Sequence, residues 1–318
     1  MLLGIPKGHF YYDYMIFIKE LFKGTSIETV MGADNNSEIY ERGSRITADE
    51  ACMPVKLFAG QADELKNRCD KVLIVRNMKD MGGRWLCPKL LGLPELSSAI
   101  DNSEKFIVTE PVYFNNERKT RRCFRKVCMQ LQMERKKFEE NFREAYRKQR
   151  SAYTGLTAFH TEAAWEFTPE KPLPGEIILP NRRKVLLTGH CYNVYDKFSN
   201  NDIMKKLDEV GIEAVTGKNI TQAQRERQIE LAGFVKKPFW EAFARIFGTV
   251  MSMKDSVDGI VYLSSFSCGI DAFIIETLKL HAEGLPFLIL KIDEHKAEAG
   301  TETRLEAFSD LLERRAVQ

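Results

Sequence analysis

The sequence lacks two features that would place it at a membrane or on nucleic acid. No apolar run approaches the ~18–20 residues that span a bilayer. Charge is nearly balanced, with a formal net charge of +2 over 318 residues, so nothing favours nucleic acid or an anionic surface as a partner. Residues 1–5 reach Pro6 and Lys7 before a signal-peptide core could develop. We therefore expect a cytoplasmic protein that binds neither membrane nor nucleic acid.

The common nucleotide-binding loops are also missing. The sequence contains no G-x-x-x-x-G-K-[ST] loop and no G-x-G-x-x-G turn. Neither ATP hydrolysis nor hydride transfer from NAD is therefore supported by its motifs.

The chain does contain two stretches in which short buried strands alternate with helical patterns. Strands are predicted at 2–5, 71–75 and 106–109, and again at 185–188, 259–263 and 287–292. This alternation predicts an α/β fold with two doubly wound, mainly parallel-sheet, Rossmann-like domains facing a cleft. We place them at residues 1–115 and 184–318.

Residues 116–183 differ in character. Within 117–150, thirteen Lys or Arg face five Glu, which predicts one long basic helix on the surface. Residues 151–183 carry four prolines and are expected to be a connector. The basic helix is expected to be a solvated face, with an acidic partner or the phosphates of CoA as the alternative.

Seven cysteines in a reducing compartment indicate metal binding, catalysis or plain burial rather than disulfides. Three of them occur at strand-to-helix turns or beside a proline. Cys268 precedes a helix that Asp271 is expected to cap, Cys87 is followed by Pro88, and Cys52 lies two residues before Pro54. In open α/β sheets, ligands collect beyond the carboxyl ends of the strands. From spacing alone, these remain either three ligands of one metal site or three ordinary core cysteines.

Several strings resemble the acyl-CoA dehydratase activase-associated family, the "CoA protein activase" group. That group is related to the cluster-bearing subunits of 2-hydroxyacyl-CoA dehydratases and benzoyl-CoA reductases. The matching strings are DEACMPVK at 49–56, CPKLLGLP at 87–94, GHCYNVYD at 189–196, KPFW at 237–240, YLSSFSCGID at 262–271 and DEHKAEAG at 293–300.

The resemblance implies a [4Fe–4S] cluster bound by Cys52, Cys87 and Cys268. Three protein ligands would leave one iron open. In the related dehydratases a separate ATP-dependent activase delivers an electron to such a cluster, which then acts on an acyl-CoA thioester. The resemblance thus implies an activase as partner of this chain and acyl-CoA as a candidate ligand; a homo-oligomer stays open.

Other residues are candidates with weaker support. Cys191 stands where the family pattern leads us to expect proline, and is either a fourth ligand or a core cysteine. His190, Tyr192, Glu294 and His295 follow predicted strands and are candidates for a catalytic or supporting role in the cleft. A hydrogen-bonded structural histidine is the alternative for His295. Cys69, Cys123 and Cys128 are expected to be structural, the last two solvated or half-buried.

Two functions follow from the resemblance. The first is an iron–sulfur redox protein that accepts or relays low-potential electrons from the activase. The alternative is a stand-alone reductase or dehydratase, acting at the open iron on a CoA thioester or another small unsaturated substrate.

Overall fold

The computed structural model describes residues 1–100, 104–155, 182–292 and 298–316. Its first sheet has four strands in the order β2-β1-β3-β5, and every pairing in it is parallel. These strands are β1 (Leu2–Ile5), β2 (Glu28–Met31), β3 (Lys71–Ile74) and β5 (Phe106–Val108). The two central strands, β1 and β3, are short, apolar and mostly buried, as expected for strands that are covered on both faces, whereas the edge strands β2 and β5 are more exposed.

Five helices accompany this sheet: α1 (His9–Phe22), α2 (Ser37–Ile46), α3 (Met53–Arg68), α4 (Pro88–Leu91) and α5 (Leu93–Ile100). Helices α2 and α3 cross at two glycines, Gly43 and Gly60. A Cβ atom on Gly60 would lie 1.8 Å from the carbonyl oxygen of Ile39, so this close crossing requires glycine.

The second sheet repeats the architecture in the later part of the chain. Its order is β10-β9-β7-β8, again with every pairing parallel. The strands are β7 (Arg183–Gly189), β8 (Ile212–Val215), β9 (Gly259–Ser265) and β10 (Phe287–Ile292). The predicted α/β class with mainly parallel sheets is therefore confirmed, whereas the domain boundaries stay a prediction.

Seven helices follow or cover this second sheet. They are α8 (Cys191–Val194), α9 (Lys197–Asn200), α10 (Ile203–Glu209), α11 (Gln222–Leu231), α12 (Glu241–Met253), α13 (Gly269–His281) and α14 (Glu298–Ala316). One apolar cluster contains side chains from both sheets, among them Leu3 of β1, Val185 of β7 and Leu263 of β9. The two sheets therefore share a core.

A small third sheet pairs β4 (Asn77–Lys79) with β6 (Val112–Tyr113). Next to it, Trp85 forms a bridge with Trp240. The backbone N–H of Glu241 donates to the carbonyl of Trp85 at 2.9 Å, and that of Trp85 donates to Phe239 at 3.1 Å. These bonds join the loop before Cys87 to the start of α12.

The prediction of one long surface helix over 117–150 is wrong. The structure has two helices, α6 (Glu117–Gln130) and α7 (Arg135–Thr154), separated at Gln132, whose φ is +57°. Both bury an apolar face, in which Phe124 and Phe142 contact the Phe17 ring of α1. Cys123 and Cys128 are fully buried on α6, so the expectation of solvated or half-buried thiols is also wrong.

Two further findings concern the whole chain. Within the described ranges, no helix has both the length and the apolar content needed to cross a membrane. The proline-rich connector predicted at 151–183 falls largely outside the described residues.

Candidate functional site

Three of the seven cysteines occupy the same position in three different helices. Cys52, Cys87 and Cys268 are the N-cap residues of α3, α4 and α13, and none of them makes a side-chain capping bond. Proline in the first turn of α3 and α4 fixes the backbone there without losing an intrahelical bond. All three thiols are free and partly exposed, which is the accessibility that a metal ligand at a cleft requires.

A lysine joins the three loops that carry these cysteines. The ammonium of Lys89 donates to the carbonyl oxygens of Glu50 at 3.3 Å and Ser267 at 3.2 Å. The hydroxyl of Ser267 donates to the same Glu50 carbonyl at 3.2 Å. Each of the three residues lies within two positions of one of the cysteines. The cysteine loops are therefore held together although they are distant in sequence.

The electrostatics agree with this proximity. Burial raises the pKa of the Cys52 thiol; the Val55 amide and the Lys89 ammonium lower it, and the neighbouring Cys87 and Cys268 thiols raise it again. If neighbouring thiols lose their protons they repel one another, and a bound cationic centre would relieve that repulsion. The donor set therefore fits a cluster held by three thiolates.

His190 and Tyr192 both lie against this group. His190 Nε2 is 3.7 Å from the Cys268 sulfur, and its ring stacks on Tyr192 with centroids 4.9 Å apart. Burial raises the pKa of the Tyr192 phenol well above its usual range, and the charges of Cys268, Asp271, Cys52 and Cys87 act in the same direction. Tyr192 is thus a side chain on which all three candidate ligands act.

His190 also forms a buried pair with Asp271, their atoms Nε2 and Oδ1 being 3.2 Å apart. Burial alone would lower the pKa of His190, but the Asp271 carboxylate raises it well above the usual value. Burial would raise the pKa of Asp271, but His190 and the hydroxyl of Tyr262, which donates at 2.6 Å, hold it low. The imidazole is therefore charged at neutral pH, with Asp271 as its ionic partner.

A second buried group, the ionic network, lies behind this layer. The Arg245 guanidinium on α12 donates to both carboxylate oxygens of Asp13 on α1, at 2.7 and 3.1 Å, and also to Glu241. His9 Nδ1 lies 3.3 Å from Asp13, and its ring meets Tyr192 edge-on at 6.3 Å. Burial lowers the pKa of His9 to about 4, so this histidine is neutral.

Cys191 belongs to the ionic network in space. Its sulfur and one ligand atom each of His9 and Asp13 lie within 4.8 Å of one another, and all three residues are buried. Burial raises the pKa of Cys191, and the charges acting on it are those of Asp13, Arg245 and Glu241 rather than the other cysteines. A role as a fourth ligand stays a hypothesis.

The remaining sequence candidates divide as follows. Glu294 and His295 lie outside the described residues. Cys69 is buried and follows the end of α3. Asp271, expected to cap its helix, is instead its third residue, and Cys268 is the cap. Asp271 is also the site residue whose role sequence reasoning missed, although an acid three positions after an N-cap is a recognisable signal.

A family model described as a CoA enzyme activase uncharacterised domain matches residues 3–220. No protein of curated function matches the chain. Among solved structures, tagatose-6-phosphate ketose/aldose isomerase from Escherichia coli is 11% identical, with 98% of this chain and 79% of that chain covered and a TM-score of 0.21. A score this low carries no argument. Within the matched range lie Cys52, Cys87, His190 and Tyr192, whereas Cys268 lies beyond it.

Proposed function

This chain belongs to the family described as the CoA enzyme activase uncharacterised domain, and on that premise we propose that it is an iron–sulfur redox partner of an ATP-dependent activase. Cys52, Cys87 and Cys268 would hold a [4Fe–4S] cluster. The activase would be a separate chain, because this sequence carries no phosphate-binding loop of the common type. Such a cluster, when bound, supplies one-electron transfer at low potential.

One observation carries the proposal: three partly exposed cysteines stand at the N-cap positions of three helices whose starts are held together by Lys89. Three ordinary core cysteines would not be expected to occupy the same helix position, to be partly exposed and to lie in loops that one lysine joins. A helix N-terminus also stabilises a thiolate, because its N–H groups point towards the sulfur.

The test measures iron and sulfide after anaerobic purification, together with the electron paramagnetic resonance of the reduced protein. The wild type should bind about four iron and four sulfide per chain. Changing Cys52, Cys87 or Cys268 to Ser should remove most of the iron. Cys69→Ser is the matched control, since Cys69 is a free cysteine that follows a helix end; it should keep the iron. Full iron in all three variants contradicts the proposal.

The partner is tested separately. A purified activase of this group should reduce the oxidised cluster only when ATP is hydrolysed. Equal reduction with and without ATP would show that the chain accepts electrons from any low-potential donor and would remove the activase as its specific partner.

A second candidate function, reduction or dehydration of a CoA thioester at the open iron, is favoured by the place of Tyr192 and His190. His190 Nε2 lies 3.7 Å from the Cys268 sulfur, and the charges of all three cysteines act on the Tyr192 phenol, so the Tyr192 hydroxyl could hydrogen-bond a substrate bound there. Adding acyl-CoA to the reduced protein should then change its resonance spectrum. An unchanged spectrum, with reduction by the activase intact, leaves the electron relay.

A further inference from the structure

The contact between His190 and Cys268 is built by the sheet. Strands β7 and β9 are neighbours, with Gly189 paired to Leu263. Gly189 has a φ of +142°, and a Cβ atom there would lie 2.4 Å from the carbonyl oxygen of Leu263. Only glycine allows this close approach. It brings the end of β7, and with it His190, against the loop of Cys268.

The His190 ring is held by Asp271 and Tyr192. Asp271 Oδ1 lies 3.2 Å from Nε2, and the Tyr262 hydroxyl donates to the same oxygen at 2.6 Å. Tyr192 lies parallel to the ring, at an interplanar angle of 9°. His190 is 7% exposed and Asp271 is 0% exposed. Because the ring is packed against its neighbours and shielded from solvent, its surroundings fix the direction in which Nε2 points.

We propose that His190 is a positioning residue for the sulfur of Cys268: its Nε2–H is shared between that sulfur, at 3.7 Å, and the Asp271 carboxylate, at 3.2 Å, which holds the ring in place. The inference deepens the proposed function and in part rests on it, because hydrogen bonds to ligand sulfurs help to set the reduction potential of an iron–sulfur centre. A histidine that merely fills the core would leave the chemistry of the Cys268 sulfur unchanged.

The first experiment needs no cluster. The full chain, freed of metal and reduced, is alkylated with iodoacetamide, and the rate at each cysteine is followed by peptide mass spectrometry. A hydrogen bond to a thiolate stabilises the reactive form. His190→Phe keeps an aromatic ring against Tyr192 but loses the donor. It should slow the alkylation of Cys268 by about tenfold, the size expected for a hydrogen bond to a charged group, and leave Cys52 and Cys87 unchanged.

Two further variants make the result specific. His281→Phe makes the same change at the other end of α13, where Nδ1 lies 2.9 Å from the Thr277 carbonyl, and should leave Cys268 at its wild-type rate. His190→Gln keeps an N–H donor and should give an intermediate rate. His190→Phe could open the site, which would be seen as faster alkylation of all three cysteines. In that case the Cys268 rate in His190→Gln is the informative measurement. An unchanged Cys268 rate in the informative variant overturns the inference.

The second experiment uses the reconstituted protein. His190→Phe should bind as much iron as the wild type but have a lower midpoint potential, because a donor to the sulfur favours the reduced, more negative centre. An equal potential at equal iron content overturns the inference and leaves the proposed function intact. Failure of the wild type to bind a cluster overturns the proposed function, while the alkylation rates still decide the role of His190.

Discussion

Glu241 in the ionic network provides the sharpest test of the electrostatics. It is buried beside Arg245, and two further carboxylates, Asp13 and Asp80, act on it. Burial raises its pKa from 4.5 to about 7; Arg245 opposes this shift, and Asp13 and Asp80 add to it. The guanidinium of Arg245 thus contacts two carboxylates, Asp13 and Glu241. Ionising both of them costs free energy, because their negative charges repel each other.

The sign of the effect follows from proton binding. Between pH 4.5 and pH 7 the folded protein holds a proton on Glu241 that the unfolded chain has released, so the stability falls as the pH rises through this window. A pKa difference of about 2.5 units corresponds to a loss of about 3 kcal/mol. Other titratable groups also lie near this network: His9, Tyr14, Tyr153, Cys191 and Arg84. The wild type and a variant that differs only at Glu241 have all five in common.

Glu241→Gln removes the titration and keeps the size and a hydrogen-bonding group. The variant should therefore become more stable relative to the wild type as the pH rises from 5 to 8, by up to about 3 kcal/mol. The assay is urea unfolding of the reduced, metal-free chain at pH 5, 6, 7 and 8. Glu226→Gln is the control: Glu226 is paired with Arg84 at 2.5 Å, and its pKa is lowered from 4.5, so this carboxyl is ionised in both the folded and the unfolded chain above pH 5, and the stability difference of this variant should stay constant from pH 5 to 8. A pH-independent difference for Glu241→Gln refutes the reasoning.

Three further predictions concern the site and its supports. Gly60→Ala should cost about 3 kcal/mol or more in urea unfolding, because its Cβ would lie 1.8 Å from Ile39 O; Gly92→Ala, with 3.7 Å to its nearest neighbour, should cost far less. Lys89→Met should change the stability by under about 1 kcal/mol, since the side chain is exposed, but weaken iron binding in competition with a chelator; an unchanged iron affinity would remove its role as a tether. Cys191→Ala should keep the wild-type iron content, and loss of a large part of the iron would make Cys191 a fourth ligand.

The strands and the cysteine turns could be predicted from the sequence because both depend on local patterns. Runs such as 71–75 are apolar and short, and a cysteine between a strand and a helix is visible without coordinates. The break at Gln132 was not visible, because a left-handed residue other than glycine has no strong sequence signal. Helix α11 was missed because its ten residues are mostly polar and lack an apolar stripe.

The ionic network lay beyond sequence reasoning for a different reason. Asp13 and Arg245 are 232 residues apart, and each looks like a solvated surface charge in its own helix. Only the ion pair between α1 and α12 shows that Asp13 is buried and that the Arg245 side chain is just 13% exposed. In the same way, the cysteine positions suggested a site, but the tether through Lys89 depends on three loops meeting.

The charge state of Glu241 also bears on the thiols. A chain of contacts runs inward from the cysteines. Cys268 contacts His190, which stacks on Tyr192; Tyr192 meets His9, which lies beside Asp13; and Asp13 is paired with Arg245, which also contacts Glu241. With Glu241 protonated, the carboxylate of Asp13 and the guanidinium of Arg245 cancel, and His9 is neutral. His9, Asp13, Arg245 and Glu241 together then carry no net charge; Asp80, whose pKa is raised by burial, is common to both states of Glu241. Ionising Glu241 adds one negative charge in a region of low dielectric, where it would disfavour adding an electron to the cluster proposed above. Glu241 should therefore hold its proton most tightly when the three cysteines carry the most negative charge.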